Sequence, residues 1–210
     1  MKGCFFSIIK LIFSIAIGFF AVLFFVFGGF DYVKGLFSPN QYINNSTEMN
    51  KAMKIADFSK ISKDFQIVKT VDMIGANAVI ANYKPTGQKI GFINTGLLLN
   101  LTKNDLKSAT IEQQLTNIGK SYENNVIKLE KLAVTHKGSF NGLNQQIPYV
   151  KVAMKVKLPA GLDLSQNTEG IIGIATSPKG QNNIILAINK YGQYNQAITE
   201  KFTHELKYNK

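Results

Sequence analysis

From Leu11 to Phe30 the chain runs for twenty residues with no charge and nothing more polar than Ser14. Fourteen of the twenty are Leu, Ile, Val or Phe. A helix of that length is about 30 Å long, the thickness of a bilayer's hydrocarbon core. The run is apolar all round, whereas a helix on the surface of a soluble core keeps one polar face. At roughly −0.4 kcal/mol for each large apolar residue, insertion is favoured by about 6 kcal/mol. The pattern therefore predicts a transmembrane helix over 11–30, preceded by a flank over 1–10. Lys10 stands where its stem can snorkel to the headgroups, and Tyr32 where an interfacial aromatic belongs. A cleavage site after Gly29 would put Phe27 at the −3 position, where signal peptidase needs a small residue. A lipoprotein signal needs its cysteine after the apolar run, and Cys4 precedes it. A pilin would carry an early glutamate where Lys10 stands.

Beyond Phe30 the pattern changes. Residues 31–45, with Gly35, Pro39 and the Asn44–Asn45 pair, read as a linker, and 46–210 as one folded domain. Ser46 is placed to cap a short helix carrying Met49, Met53 and Ala56 on one face. Strands are expected over 66–71, 77–83 and 89–94, the last two joined by a Lys84-Pro85-Thr86-Gly87 turn. Thr102 to Asp105 begins a helix. Thr110-Ile111-Glu112-Gln113 reads as a capping box before a helix with Ile111, Leu115, Ile118 and Tyr122 on one face. The stretch 126–134 alternates until Glu130-Lys131 breaks the phase, as a β-bulge would. Val150, Val152, Met154, Val156 and Leu158 alternate with Lys151, Ala153, Lys155 and Lys157, a half-buried strand with a lysine-rich outer face. Apolar runs over 171–175 and 184–188 flank the turn Ser177-Pro178-Lys179-Gly180 and read as central strands. Tyr194, Ile198, Phe202 and Leu206 form an i, i+4 stripe on a last helix capped by Asn195.

Hairpin-linked strands separated by helices imply an α+β fold with a mainly antiparallel sheet. The hairpin AVIANYKPTGQKIGFIN, the paired runs GIIGIAT and NIILAINK, and the closing helix NQAITEKFTHELK together resemble the α/β/α sandwich of the PsbP-like proteins, over roughly residues 55–208. The resemblance implies a small accessory or binding module without enzymatic activity. No motif for the metal or photosystem contacts of PsbP is present, so that role is not carried over.

Composition sharpens the placement. The formal charge is +11, all 24 cations are lysine, and arginine is absent. Lys2, Lys10 and the amino group precede the apolar run; after it come Asp31 and Lys34, then no cation until Lys51. The positive-inside bias puts the N-terminus in the cytoplasm and the domain outside the cell membrane. A lysine field of this kind attracts anionic lipid or surface polymer. Nucleic acid is not expected as a partner, because specific recognition favours arginine's planar fork.

Catalytic motifs are missing. The single cysteine, Cys4, excludes an intrachain disulfide and a CxxC site. His136 and His204 stand in no zinc spacing, and there is no GxSxG elbow. Gly119-Lys120-Ser121 lacks the earlier glycine of a phosphate loop, since Gln114 holds that position. No catalytic, cofactor or metal residue is assigned, and no cofactor is expected. The surface candidates are the strand lysines Lys151, Lys155 and Lys157, and two tyrosines, Tyr191 and Tyr194, which either edge a ligand cleft or pack the last helix. The expectation is a single-pass, membrane-anchored, non-catalytic module outside the cytoplasm that binds an envelope protein or other ligand. Two rivals stand beside it. One is an envelope hydrolase drawing on the 13 acids, all of which follow Phe30; the other is an electrostatic binder of anionic polymer.

Overall fold

A computed structural model describes residues 45–73, 76–94, 101–121, 128–158 and 164–209. The expected flank 1–10, the span Leu11–Phe30 and the linker up to residue 44 lie outside the described residues, as do Tyr122 and Val126. No helix among the described residues is long and apolar enough to cross a membrane.

The domain is built on one antiparallel sheet of seven strands. The elements, in chain order, are α1 (Asn45–Ile55), β1 (Phe65–Met73), β2 (Ala76–Tyr83), β3 (Lys89–Asn94), α2 (Lys103–Lys107), α3 (Ile111–Ser121), β4 (Lys128–Gly142), β5 (Gln145–Leu158), β6 (Leu164–Thr176), β7 (Asn182–Lys190) and α4 (Gln196–Glu205). The strand order is β1-β2-β3-β7-β6-β5-β4, so the α+β expectation with an antiparallel sheet holds. Helices pack on both faces. On one, Leu106, Ile111 and Leu115 of α2 and α3 cover Val150, Val152, Ile172, Ile174 and Leu186. On the other, Ala52 of α1 and Ile198 and Phe202 of α4 cover Phe65, Ile67, Val79, Phe92, Ile147 and Ile185.

Local chemistry explains most of the boundaries. The Lys84–Gly87 turn closes with Gly87 at φ +74°, a conformation that favours glycine. Thr102 caps α2 in a reciprocal box with Asp105. No such box forms at Thr110, whose hydroxyl instead meets Ser108 and the Gln114 amide. Ser46 lies within α1, which begins one residue earlier, so it is not the cap. The phase break at Glu130 is a register shift between Leu129 and Lys131, and a second follows between Val134 and His136. The β4–β5 hairpin extends well past the expected strands, through a two-residue turn with Leu143 at φ 52° and Asn144 at φ 57°. Paired positive φ values match the right-handed twist of the flanking strands.

Each edge of the sheet is tied by a glutamate. On β1 the Thr70 amide donates to Glu48 of α1, and the Thr70 hydroxyl donates to the Glu48 carbonyl. On β4 the Val134 amide donates to Glu112 of α3 at 2.8 Å. Glu48 is buried and paired with Lys51 at 3.0 Å. Burial works to raise its pKa, but the Lys51 ammonium and the Thr70 amide outweigh that and hold it below 4.5. A depressed folded pKa adds stability that is present above the unfolded value and is lost as pH falls through the folded one. Glu48→Gln should therefore destabilise the domain at neutral pH, by about 1–2 kcal/mol. Thermal melts of the two proteins should converge as pH is lowered from about 7 to about 3. A gap that stays constant across that range would show that the carboxylate charge is not what holds α1 on β1.

Candidate functional site

The second half of β5 carries Lys151, Ala153, Lys155 and Lys157 on the face opposite Val150, Val152 and Met154. That face continues from Ile147 and Tyr149, which lie under α4. Past the helix it opens to solvent. The register sets His136 and Ile171 beside Lys151, Ala133 and Glu169 beside Ala153, and Lys131 and Asn167 beside Lys155. The result is a shelf with two alanines and Glu169 in the middle row and lysines in the rows on either side.

Glu169 of β6 organises the shelf. One of its oxygens accepts from the Gly192 amide at 2.9 Å and from the Tyr194 amide at 3.3 Å. The other lies 3.5 Å from the Lys151 ammonium, which in turn stands 5.9 Å over the Tyr194 ring. One carboxylate thus fixes the connection between β7 and α4 and the first lysine of the stripe. Lys155 pairs with Glu130, the bulge residue of β4, at 3.0 Å.

The two tyrosines part company. Tyr194 is half-buried, shares a hydrogen bond with Thr199 at 3.3 Å, and has its phenol pushed well above the usual range by burial. It packs against the start of α4. Tyr191 points away and is 65% exposed, the one large hydrophobic side chain so exposed among the described residues. Lys151 and Tyr194 are therefore brought together. Lys155 sits two rows further along, and Tyr191 stands at the sheet's end beside Lys190. Sequence reasoning passed over Glu169 because its strand was expected to begin at residue 171, whereas β6 begins at Leu164.

Beside α4 the loop before β1 holds an arrangement that resembles a nucleophile with a base. The Ser62 hydroxyl donates to Asp64 at 3.2 Å, and the Lys201 ammonium reaches Ser62 at 3.3 Å and Asp64 at 3.0 Å. A lysine base must be neutral, yet the Asp64 carboxylate raises Lys201 above its ordinary value and keeps it charged. The Glu205 carboxylate also accepts from the Ser62 amide at 2.7 Å, so the group ties a loop to α4. Glu48, Asp57, Asp64 and Asp105, the carboxyls whose pKa is displaced, are all displaced downward. A general acid needs the reverse. Hydrogen bonds from Ser59 to Asp57, from Lys201 and then Ser62 to Asp64, and from Thr102 to Asp105 are the leading lowering causes. Among the described residues no group of His, Cys, Asp and Glu could hold a metal ion. His136 is exposed at the rim, its ring 6.2 Å from that of Tyr149, and His204 is exposed in the last turn of α4.

No model of a known protein family matches this chain, and no curated protein does so either.

Proposed function

We propose that this chain is a single-pass membrane protein that displays a non-catalytic α+β binding module on the outer side of the membrane. The observation that carries the non-catalytic reading is the state of its acids and bases. The displaced carboxyls are lowered, and the Ser62–Lys201 pair is locked in charged, structural hydrogen bonds. The twenty-residue apolar run and the lysine bias before it support the placement. The element order supports a PsbP-like reading of the domain. The shelf around Lys151, Glu169 and Lys155 is the surface that a ligand would meet.

In fractionated cells the full chain is expected in the membrane pellet, to stay there through alkaline carbonate washing, and to leave it with detergent. Deleting residues 1–30 should move the protein to the supernatant. Recovery of the intact chain in the aqueous fraction would overturn the placement. Turnover of cell-wall glycan by the purified chain, abolished by Asp64→Asn or Glu169→Gln, would replace the binding reading with the hydrolase reading.

A further inference from the structure

The antiparallel register brings seven strand ends to one end of the sheet: the starts of β1, β3, β4 and β6 and the ends of β2, β5 and β7. Six strand intervals make this end about 29 Å wide. It carries exposed Lys63 before β1, Lys84 in the β2–β3 turn, Lys131 and Lys155 on β4 and β5, and Lys190 at the end of β7. Among the described residues the acids near this end are engaged, Asp64 by Lys201, Glu130 by Lys155 and Glu169 by Lys151. Lys84 also reaches the Lys63 carbonyl at 2.7 Å, which holds these two lysines together. Tyr191 projects from the same end beside Lys190. At the opposite end Lys179 stands in the β6–β7 turn and the Lys103 ammonium of α2 reaches Gln145, the first residue of β5, at 2.9 Å.

We infer that the Lys63–Lys84–Lys155–Lys190 end of the sheet, with Tyr191, docks on the anionic lipid surface of the membrane that holds the apolar run. The inference rests on the anchored reading. Three observations favour a bilayer over a dissolved polymer. The cations are spread over a broad end of strand termini and turns, from the start of β1 to the paired ends of β4 and β5. Tyr191, the one strongly exposed aromatic side chain among the described residues, stands with them, and tyrosine is favoured at the headgroup level. Fourteen residues lie between Phe30 and Asn45, a reach of up to about 50 Å, so this end of the domain can return to the surface from which the chain emerges. Lysines within a Debye length of an anionic leaflet are attracted to it, and salt screens that attraction.

The test reconstitutes the full chain in vesicles of phosphatidylcholine alone or with roughly a third phosphatidylglycerol. A membrane-impermeant amine reagent then labels the lysines, which are read by mass spectrometry. Lys63, Lys84, Lys155 and Lys190 should react several-fold more slowly in the anionic vesicles at low salt and recover at about 0.5 M salt. Lys107 and Lys179, exposed away from this end, should react alike in both and serve as internal references. Equal labelling of the four lysines in the two vesicle types would overturn the docking. Protection by dissolved polyphosphate in neutral vesicles, without protection by anionic vesicles, would overturn it in favour of a polymer site. A chain that floats with neither vesicle would instead defeat the anchored reading, and the docking with it.

Discussion

Gly170→Ala is expected to give a chain with no cooperative thermal transition. Gly170 lies in β6 between β5 and β7, paired with Val152 on one side and Ile188 on the other. A Cβ built on it would land on the carbonyl oxygen of Ala187 and within 2.8 Å of the Ile188 Cα. Both obstacles are backbone, and both belong to the central ladder, so no rotamer change relieves them. Interior close packing leaves nowhere for the strand to go without breaking hydrogen bonds. Displacing a central strand costs more than about 4 kcal/mol, a large share of a total of roughly 5–15 kcal/mol. Gly173→Ala is the matched control. It lies three residues on in the same strand, and its nearest neighbour is the Ile147 Cγ2 methyl at 3.2 Å, which can yield by a few tenths of an ångström. Melts of the full chain in mild detergent, followed by circular dichroism, should show a cooperative transition for Gly173→Ala and none for Gly170→Ala. Two similar melts would mean that the β6–β7 spacing is looser than described.

Phe202→Ala should lower the melting temperature by roughly 6–20 °C. Phe202 is fully buried; its ring meets Phe65 edge-on at 5.3 Å and Phe58 at 6.2 Å. It therefore joins α4, the start of β1 and the segment after α1 in one contact. Truncating a buried phenylalanine costs about 3–5 kcal/mol, from lost burial and the cavity left behind. In a domain of this size each kcal/mol is worth about 2–4 °C. Phe202→Leu should recover most of the loss, because it refills most of the volume. A change below about 3 °C for the alanine variant would show that α4 is held elsewhere, for instance by Gln88. That buried side chain donates to the Asn195 carbonyl and the Thr199 hydroxyl and accepts from the Asn195 amide.

How much of this was readable from residues alone depends on which face a strand turns to water. β3 was bounded at both ends because its apolar core and the flanking Pro-Gly turn speak together. The stripe Ile198–Phe202–Leu206 pointed to α4, and Asn195 caps it as expected, its side chain accepting from the Ala197 amide. The bulge at Glu130 announced itself as a slip in alternation. By contrast the far half of β4, Thr135–Gly142, and the early half of β6, Leu164–Gly170, are polar and small in sequence. They are strands because a neighbour supplies the ladder, which no local propensity records. The turn at Leu143–Asn144 hides for a related reason: a leucine occupies a left-handed position where glycine or asparagine would have signalled the reversal. The shelf was half visible. Alternation placed Lys151 and Lys155 on one face, but the acids that meet them, Glu169 and Glu130, arrive from two other strands.

The glutamate ties at Thr70 and Val134 bear on how copies of this protein coexist. If the chain is anchored as proposed, its copies are confined to a plane and collide far more often than in solution, and an open β-rim invites such collisions to zip into fibrils. Here each outermost strand has a main-chain donor stoppered and a kink nearby, between Ile67 and Lys69 on one side and at Glu130 and Thr135 on the other. Crowded neighbours can then slide past one another without seeding growth. The same two stoppers hinder a visiting peptide from adding to the sheet as an eighth strand.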